Sequence, residues 1–172
     1  MAGSLRPLTC DDLPHVERIQ LAAYPNYHKE ALAVFADKLA RYPAGCWAFL
    51  ADDGEMVGYL FSHPGLLADP PRLDELLPPE VAGPPKKEPD CYFIHDKSVL
   101  PTHRGLGAGK LLMAAAVGHA AEHGFTTLAL VAVQNARPYW ERFGFEVVAD
   151  GPGIEIVRKS YGADARYMVK RR

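Results

Sequence analysis

What this sequence lacks removes several classes of function at once. It has no long apolar run: the longest, over 31–36 and 111–117, fall well below the roughly 20 residues a membrane-spanning helix needs. It has no basic surplus. Nineteen Lys and Arg against twenty-one Asp and Glu leave a net charge of -2, which argues against a nucleic-acid partner. Cysteine is scarce, and Cys10, Cys46 and Cys91 lie far apart with no CxxC pair, so neither a disulfide framework nor a zinc knuckle is expected. No His, Asp or Glu cluster shows metal-ligand spacing, and no metal is expected. Residues 1–12 hold no apolar run of signal-peptide length, so the expected location is cytoplasmic.

What is present is a chain of 172 residues, 48 % hydrophobic and 23 % charged, suited to one globular domain over 1–172. Proline is distributed unevenly. Eight of the fifteen lie between Pro64 and Pro89, among Asp69, Asp74, Glu75, Glu80, Glu88 and Asp90. A segment as long as 63–90 reads as a surface loop or as a lid over a site.

Hydrophobic spacing predicts a short strand over 5–8, then a helix capped by Thr9 or Asp11 with Val16, Ile19 and Ala23 on one face. That helix ends near Tyr24-Pro25, and a second runs over 29–42 with Leu32, Phe35 and Leu39 in register. Strands over 47–51 and 56–62 are joined by the turn Asp52-Asp53-Gly54. A short helix is expected over 72–77. Beyond it come a strand over 92–100, a glycine turn leading into a helix that stops at Gly124, and a strand over 127–133. A short helix over 136–143 capped by Asn135, and strands over 145–148 and 161–170, complete the pattern. The expected class is α/β, a mixed sheet flanked by helices.

The glycine turn is the most informative stretch: His103-Arg104-Gly105-Leu106-Gly107-Ala108-Gly109-Lys110. Glycines at alternate positions before a helix start place free amides and the helix dipole together, an arrangement suited to phosphate or pyrophosphate. Arg104 and Lys110 add charge at its two ends. A Walker loop fails, with Arg at 104 and Leu at 111, and the dinucleotide fingerprint fails because Lys110 or Leu112 stands where the third glycine belongs.

Arg104-x-x-Gly107-x-Gly109, after the strand end Val99-x-Pro101, resembles the acetyl-CoA pyrophosphate loop of the GNAT superfamily of N-acetyltransferases. Trp140-Glu141-Arg142-Phe143-Gly144-Phe145 is similar to that family's aromatic-Glu-x-x-Gly-Phe signature, at matching distance from the loop. The resemblance covers most of the chain. It implies a three-layer domain whose fourth and fifth strands splay apart. It further implies pantetheine along the backbone of Ser98, Val99 and Leu100, and pyrophosphate on Arg104, Gly105, Leu106, Gly107, Ala108, Gly109 and Lys110. Acetyl-CoA would be the co-substrate, its acetyl group passing directly from the thioester to an amine.

Amide formation needs a base for the amine, a donor for the carbonyl oxyanion and a proton for the thiolate. His95, in Ile94-His95-Asp96-Lys97-Ser98-Val99, is the base candidate; the segment is similar to the arylalkylamine (serotonin) N-acetyltransferase branch. That branch has a second histidine where this chain has Phe93, so half the pair is present, and a structural histidine is the competing reading. Asp96 would face away from His95 in a regular strand, there to meet a cationic substrate or backbone amides. The family's acid is a tyrosine where this chain has Trp140, whose indole cannot exchange a proton usefully. Either Tyr139 substitutes or the thiolate leaves unassisted, and Trp140 packs against pantetheine or core. Asn135 is a helix cap or a cofactor contact. Tyr161, Tyr167 and Met168 are expected as core and pocket wall, and Cys91 as packing.

The expected activity is acetyl-CoA-dependent N-acetylation of a small primary amine, arylalkylamine or polyamine-like, by a monomer or homodimer. The alternatives are an acyl-CoA-binding domain with weak catalysis, and an acetyltransferase acting on a protein or antibiotic amine.

Overall fold

The computed structural model describes residues 3–78 and 87–172. Seven strands form one sheet: β1 (Ser4–Pro7), β2 (Cys46–Leu50), β3 (Met56–Gly65), β4 (Cys91–Val99), β5 (Thr127–Ala132), β6 (Glu146–Val147) and β7 (Arg166–Arg171). Their spatial order is β1-β2-β3-β4-β5-β7-β6. Every neighbouring pair is antiparallel except β4 and β5, which run parallel. That mixed sheet carries helices α1 (Leu13–Ala23), α2 (Leu32–Arg41), α3 (Ala108–Glu122), α4 (Arg137–Glu141) and α5 (Pro152–Tyr161). The expected α/β class holds. No helix among the described residues is long and apolar enough to cross a membrane.

Local chemistry sets the ends of the elements. The chain enters α1 through a turn in which the Asp12 carboxylate accepts from Thr9 N–H at 2.8 Å and pairs with Arg6 at 2.7 Å. Burial opposes its ionisation, but the Arg6 hydrogen bond is the larger effect and holds the Asp12 carboxyl down at about 2. The α1 helix stops before Tyr24-Pro25, as the proline requires. α2 starts three residues later than the spacing predicts because Ala31 is extended. The freed stretch from Tyr24 to Ala31 becomes a connection that reaches the site.

Side chains from α1, α2 and α3 pack on the sheet in the larger core cluster, with Ile19, Phe35, Leu112 and Met113 fully buried. A smaller cluster lies under α5, where Val157 and Tyr161 meet Cys91, Phe93, Ala129 and Tyr167.

Three expectations are corrected. The strand expected over 161–170 begins only at Arg166, because the preceding residues form α5, started by Pro152 at its first turn. The short helix expected over 72–77 is absent, since Asp74 sits at φ +58, outside the helical region. Asn135 does not cap α4: Gln134 and Asn135 are both left-handed, at φ +52 and +57, and Ala136 occupies the cap position.

Candidate active site

Two irregularities of β4 create the site. Its pairing with β5 ends at Ile94 opposite Leu130, so the strands separate beyond that point. Its register with β3 jumps from Ser62 opposite Ile94 to Phe61 opposite Asp96, leaving His95 as an extra, bulged residue. Into the gap opens a cavity of ≈ 830 Å³, reaching from the glycine turn past β4 to the connection between α1 and α2.

The glycine turn forms one end of the cavity, the expected donor end. Gly105 and Gly107 have φ of +82 and +91, conformations that L side chains adopt only under strain. Gly107 caps α3, whose first amides have no partner within the helix. Arg104, Gly105, Gly107, Ala108, Gly109 and Lys110 all line the cavity, as do Ser98 and Val99 of β4. Leu106 turns outward and is 44 % exposed. Leu100 is buried outside the cavity wall, its N–H donating to Val57 O at 2.8 Å. Asn135 lies outside the wall as well. The remaining residues fit a phosphorylated, extended co-substrate: open space over two glycines, two cations, and β4 backbone whose edge toward β5 is unpaired beyond Ile94.

Beside the donor end, Lys97 Nζ donates to the hydroxyl of Tyr139 on α4 and lies 4.6 Å from the Trp140 ring centre and 5.4 Å from that of Phe143. Burial pushes the Lys97 ammonium down to about 7, against the attraction of Asp96. Burial also raises the Tyr139 phenol. Sequence reasoning found Tyr139 and Trp140 but passed over Lys97, whose only local sign was its place between His95 and Ser98.

Deeper in, His95 is fully enclosed, and its Nε2 lies 2.8 Å from Glu30 Oε1. Burial alone would raise the Glu30 carboxyl, but its pairing with His95 outweighs this and brings it to about 2. As a carboxylate it accepts from Nε2–H, and Nδ1 has no hydrogen-bond partner among the described residues. Gln20 holds Glu30 in place, bonding both its backbone N–H (2.8 Å) and its carbonyl (3.0 Å). His63 lies behind, its ring centre 6.1 Å from that of His95, and burial lowers it to about 3. A neutral His63 adds no charge beside His95.

Asp96 corrects an expectation. The bulge breaks the alternation, so Asp96 turns to the same side as His95 and accepts from Tyr24 Oη (2.9 Å) and Tyr59 Oη (2.7 Å), not from backbone amides. Glu30, 65 residues from its partner, carried no sequence signal.

The far wall is fastened together. Tyr27 Oη donates to Tyr161 O at 2.9 Å, and Tyr161 Oη donates to Pro71 O at 3.0 Å. Leu73 N–H donates to Ser160 Oγ at 2.7 Å, and Asp74 N–H to Glu30 Oε2 at 2.9 Å. The Asp74 carboxylate takes the N–H of Ala31 at 2.6 Å. Arg41 and Lys38 of α2 donate to backbone carbonyls of Leu77 and Glu75. The first part of the proline-rich segment is thus tied to α2, α5 and the α1–α2 connection; the part over 79–86 lies outside the described residues. Tyr161 lines the cavity as expected, from α5 and not from a strand, while Tyr167 and Met168 are core. Cys91 is buried in the smaller cluster.

Solved structures share this fold. The Ard1 structure from Thermoplasma volcanium superposes with a TM-score of 0.73 at 18% identity, covering 99% of this chain and 98% of that one. Chaetomium thermophilum Naa20, in complex with a bisubstrate analogue, gives 0.69 at 18% identity, covering 98% and 86%. N-acetylglutamate synthase from Neisseria gonorrhoeae, complexed with coenzyme A and N-acetyl-glutamate, gives 0.69 at 18% identity, over 99% of this chain and 35% of that one. No curated protein sequence matches. The profile of the Acetyltransferase (GNAT) family matches residues 13–145, through both the bulged strand and the glycine turn, and the chain belongs to that family of acetyl-CoA-dependent acyltransferases.

Proposed function

We propose that the chain acetylates a small primary amine, of the arylalkylamine or polyamine type, with His95 as its base. One observation carries this reading: His95 lines the cavity, its Nε2 is paired with Glu30, and its Nδ1 has no hydrogen-bond partner among the described residues. Pantetheine is assigned to the β4 backbone at Ser98 and Val99, and pyrophosphate to Arg104 through Lys110. Acetyl-CoA supplies the activated acyl group. The chain supplies the rest.

An alkyl amine with a lysine-like pKa near 10 arrives protonated and must lose that proton before its nitrogen attacks. His95 Nδ1 receives it, directly or across one water, and Glu30 stabilises the imidazolium, as a carboxylate does for the histidine of a hydrolase triad. Tyr139 stands on the leaving-group side as the acid.

The wall supports a small acceptor: the Tyr27–Tyr161 and Tyr161–Pro71 bonds tie the α1–α2 connection, α5 and the proline-rich segment together at this end of the cavity. Tyr24, Tyr27, Tyr161, Leu73, Val131 and Val133 offer phenol and apolar surface beside the carboxylates of Glu30 and Asp96, a lining suited to a cationic aromatic amine. Thiol release from acetyl-CoA is the test, measured with a phenylethylamine, a polyamine and a peptide bearing a free N-terminus. The small amines are expected to drive release. Tight CoA binding without amine-dependent release would leave only a binding domain, and release with the peptide alone would make the acceptor a protein.

Asp74 supports the base from outside the cavity by holding the backbone around Glu30. Asp74→Gly keeps the left-handed backbone but removes the carboxylate, and kcat is expected to fall about tenfold, in line with a lost charged hydrogen bond of about 1.5 kcal/mol. Calorimetry should show unchanged CoA affinity; weakened CoA binding would contradict this division of the site.

A further inference from the structure

Departure of the thiolate needs a proton, and the residue best placed to supply one is neither Trp140 nor Tyr139 alone. Trp140 offers only an indole N–H. The Tyr139 phenol is pushed to a higher pKa by burial, so it is a weak proton source by itself. We propose that Lys97 is the proton source for the leaving thiolate, acting through the hydroxyl of Tyr139. This rests on the reading that the thioester lies along β4.

Geometry is the ground for it. Lys97 projects from β4 two residues beyond the bulge, into the wedge where β4 and β5 have separated. Its only hydrogen bond is the one it donates to Tyr139 Oη, and among the described residues no carboxylate pairs with it. Nζ donates, so the phenol hydrogen is free to point into the cavity. Gly109 leaves room for this pair: a Cβ there would come within 2.8 Å of Tyr139 Oη and 3.4 Å of Lys97 Nζ. The α3 turn that borders the donor end therefore closes directly over the two groups.

The charged neighbours are few. Asp96 is adjacent on β4, Arg142 at the C-terminal end of α4 lines the same cavity, and Arg104 and Lys110 stand at the glycine turn. Burial outweighs the attraction of Asp96 and leaves Lys97 at about 7, where both protonation states are populated at neutral pH. A buried ammonium facing aromatic rings and no anion is costly to keep, and a proton-transfer role accounts for its presence.

The step balances. The amine nitrogen bonds to the acyl carbon, the C–S bond breaks and its electron pair leaves on sulfur. Sulfur takes the Tyr139 hydroxyl proton while Oη takes one from the Lys97 ammonium, leaving a neutral amine at Nζ. The substrate ammonium's first proton has passed through His95 to solvent before the attack, and the second, shed by nitrogen as the amide forms, is now on His95. Solvent removes it and restores the one on Lys97, so one proton is released overall.

Lys97→Arg keeps the charge and the donor to Tyr139 but cannot release a proton. It is expected to lower kcat at least tenfold, with the KM for acetyl-CoA and the calorimetric Kd for CoA within threefold of the unaltered protein. Tyr139→Phe is expected to do the same, and the double variant to be no slower than the slower single one, because the two act in series. In the unaltered protein kcat should fall on the alkaline side with a midpoint near 7, and NMR of the Lys97 ε-carbon without co-substrate should titrate in the same range. An arginine variant with full kcat would reduce Lys97 to a fixed charge, and one with intact kcat but raised Kd would make it a CoA-binding residue. An NMR midpoint above about 9, near the ordinary lysine value, would overturn the relay whatever the acceptor is. Absence of amine-dependent turnover in the unaltered protein, with an NMR midpoint near 7 retained, would instead strike the amine reading and with it the relay's role.

Discussion

His95→Ala is expected to lower kcat by about 10²–10⁴-fold, the range a positioned general base contributes. CoA affinity should stay unchanged, because the imidazole belongs to the bulged residue of β4 and not to the glycine turn. Glu30→Gln should act in the same direction with a smaller loss: the amide can still meet the imidazole but carries no charge to stabilise the imidazolium. A kcat within threefold of the unaltered enzyme for His95→Ala would remove the base assignment. The same pair makes a second, independent mark on stability. The folded Glu30 carboxyl lies at about 2, below its ordinary value of 4.5, so the folded state binds fewer protons there than the unfolded chain. Its stabilisation is complete above about 4.5 and disappears as pH falls toward 2. Glu30→Gln should therefore narrow the stability difference between pH 6 and pH 3, read by urea titration at each pH.

Gly45→Ala should be the most damaging small substitution for stability, by about 3 kcal/mol, at the upper end for overpacking. A Cβ at Gly45 would come within 2.0 Å of the Ser62 carbonyl oxygen and 2.9 Å of its carbon, and backbone in the middle of a sheet cannot swing aside. Ser62 Oγ also bonds Gly45 O at 2.8 Å and Tyr92 Oη at 2.8 Å, so the displaced segment is tied on two sides. For a domain of this size the loss corresponds to a fall in melting temperature of roughly 6–12 °C. Activity should suffer too, since Ser62 sits in β3 directly at the register jump that releases His95. A variant that melts within 2 °C of the unaltered protein would show that β3 has freedom the sheet register denies it.

The glycine-turn side of the cavity was legible in the sequence because it is local. Arg104, the glycines and Lys110 follow one another, their helix begins at once, and all but Leu106 line the cavity. The other side was not legible, for reasons that differ by residue. Glu30 meets His95 across 65 residues, in a connection whose course depends on where α2 begins. Asp96 was misplaced because strand alternation assumes a regular strand, and the bulge is a property of two strands together. The Gly151-Pro152-Gly153 stretch hid α5 behind turn-like residues, although proline is at home in a helix's first turn. Lys97 was visible but uninformative: a lysine in a strand gives no hint that three aromatic rings will surround it.

The bond from Tyr27 to Tyr161 spans 134 residues, whereas the donor cradle and its Tyr139 neighbour are complete once Arg142 has been made. Loops that long are entropically slow to close, and chains fold from the N-terminus as they are synthesised. The side of the cavity lined by Tyr27 and Tyr161 therefore depends on a contact of far longer range than the glycine-turn side, and it is expected to close last as the chain folds.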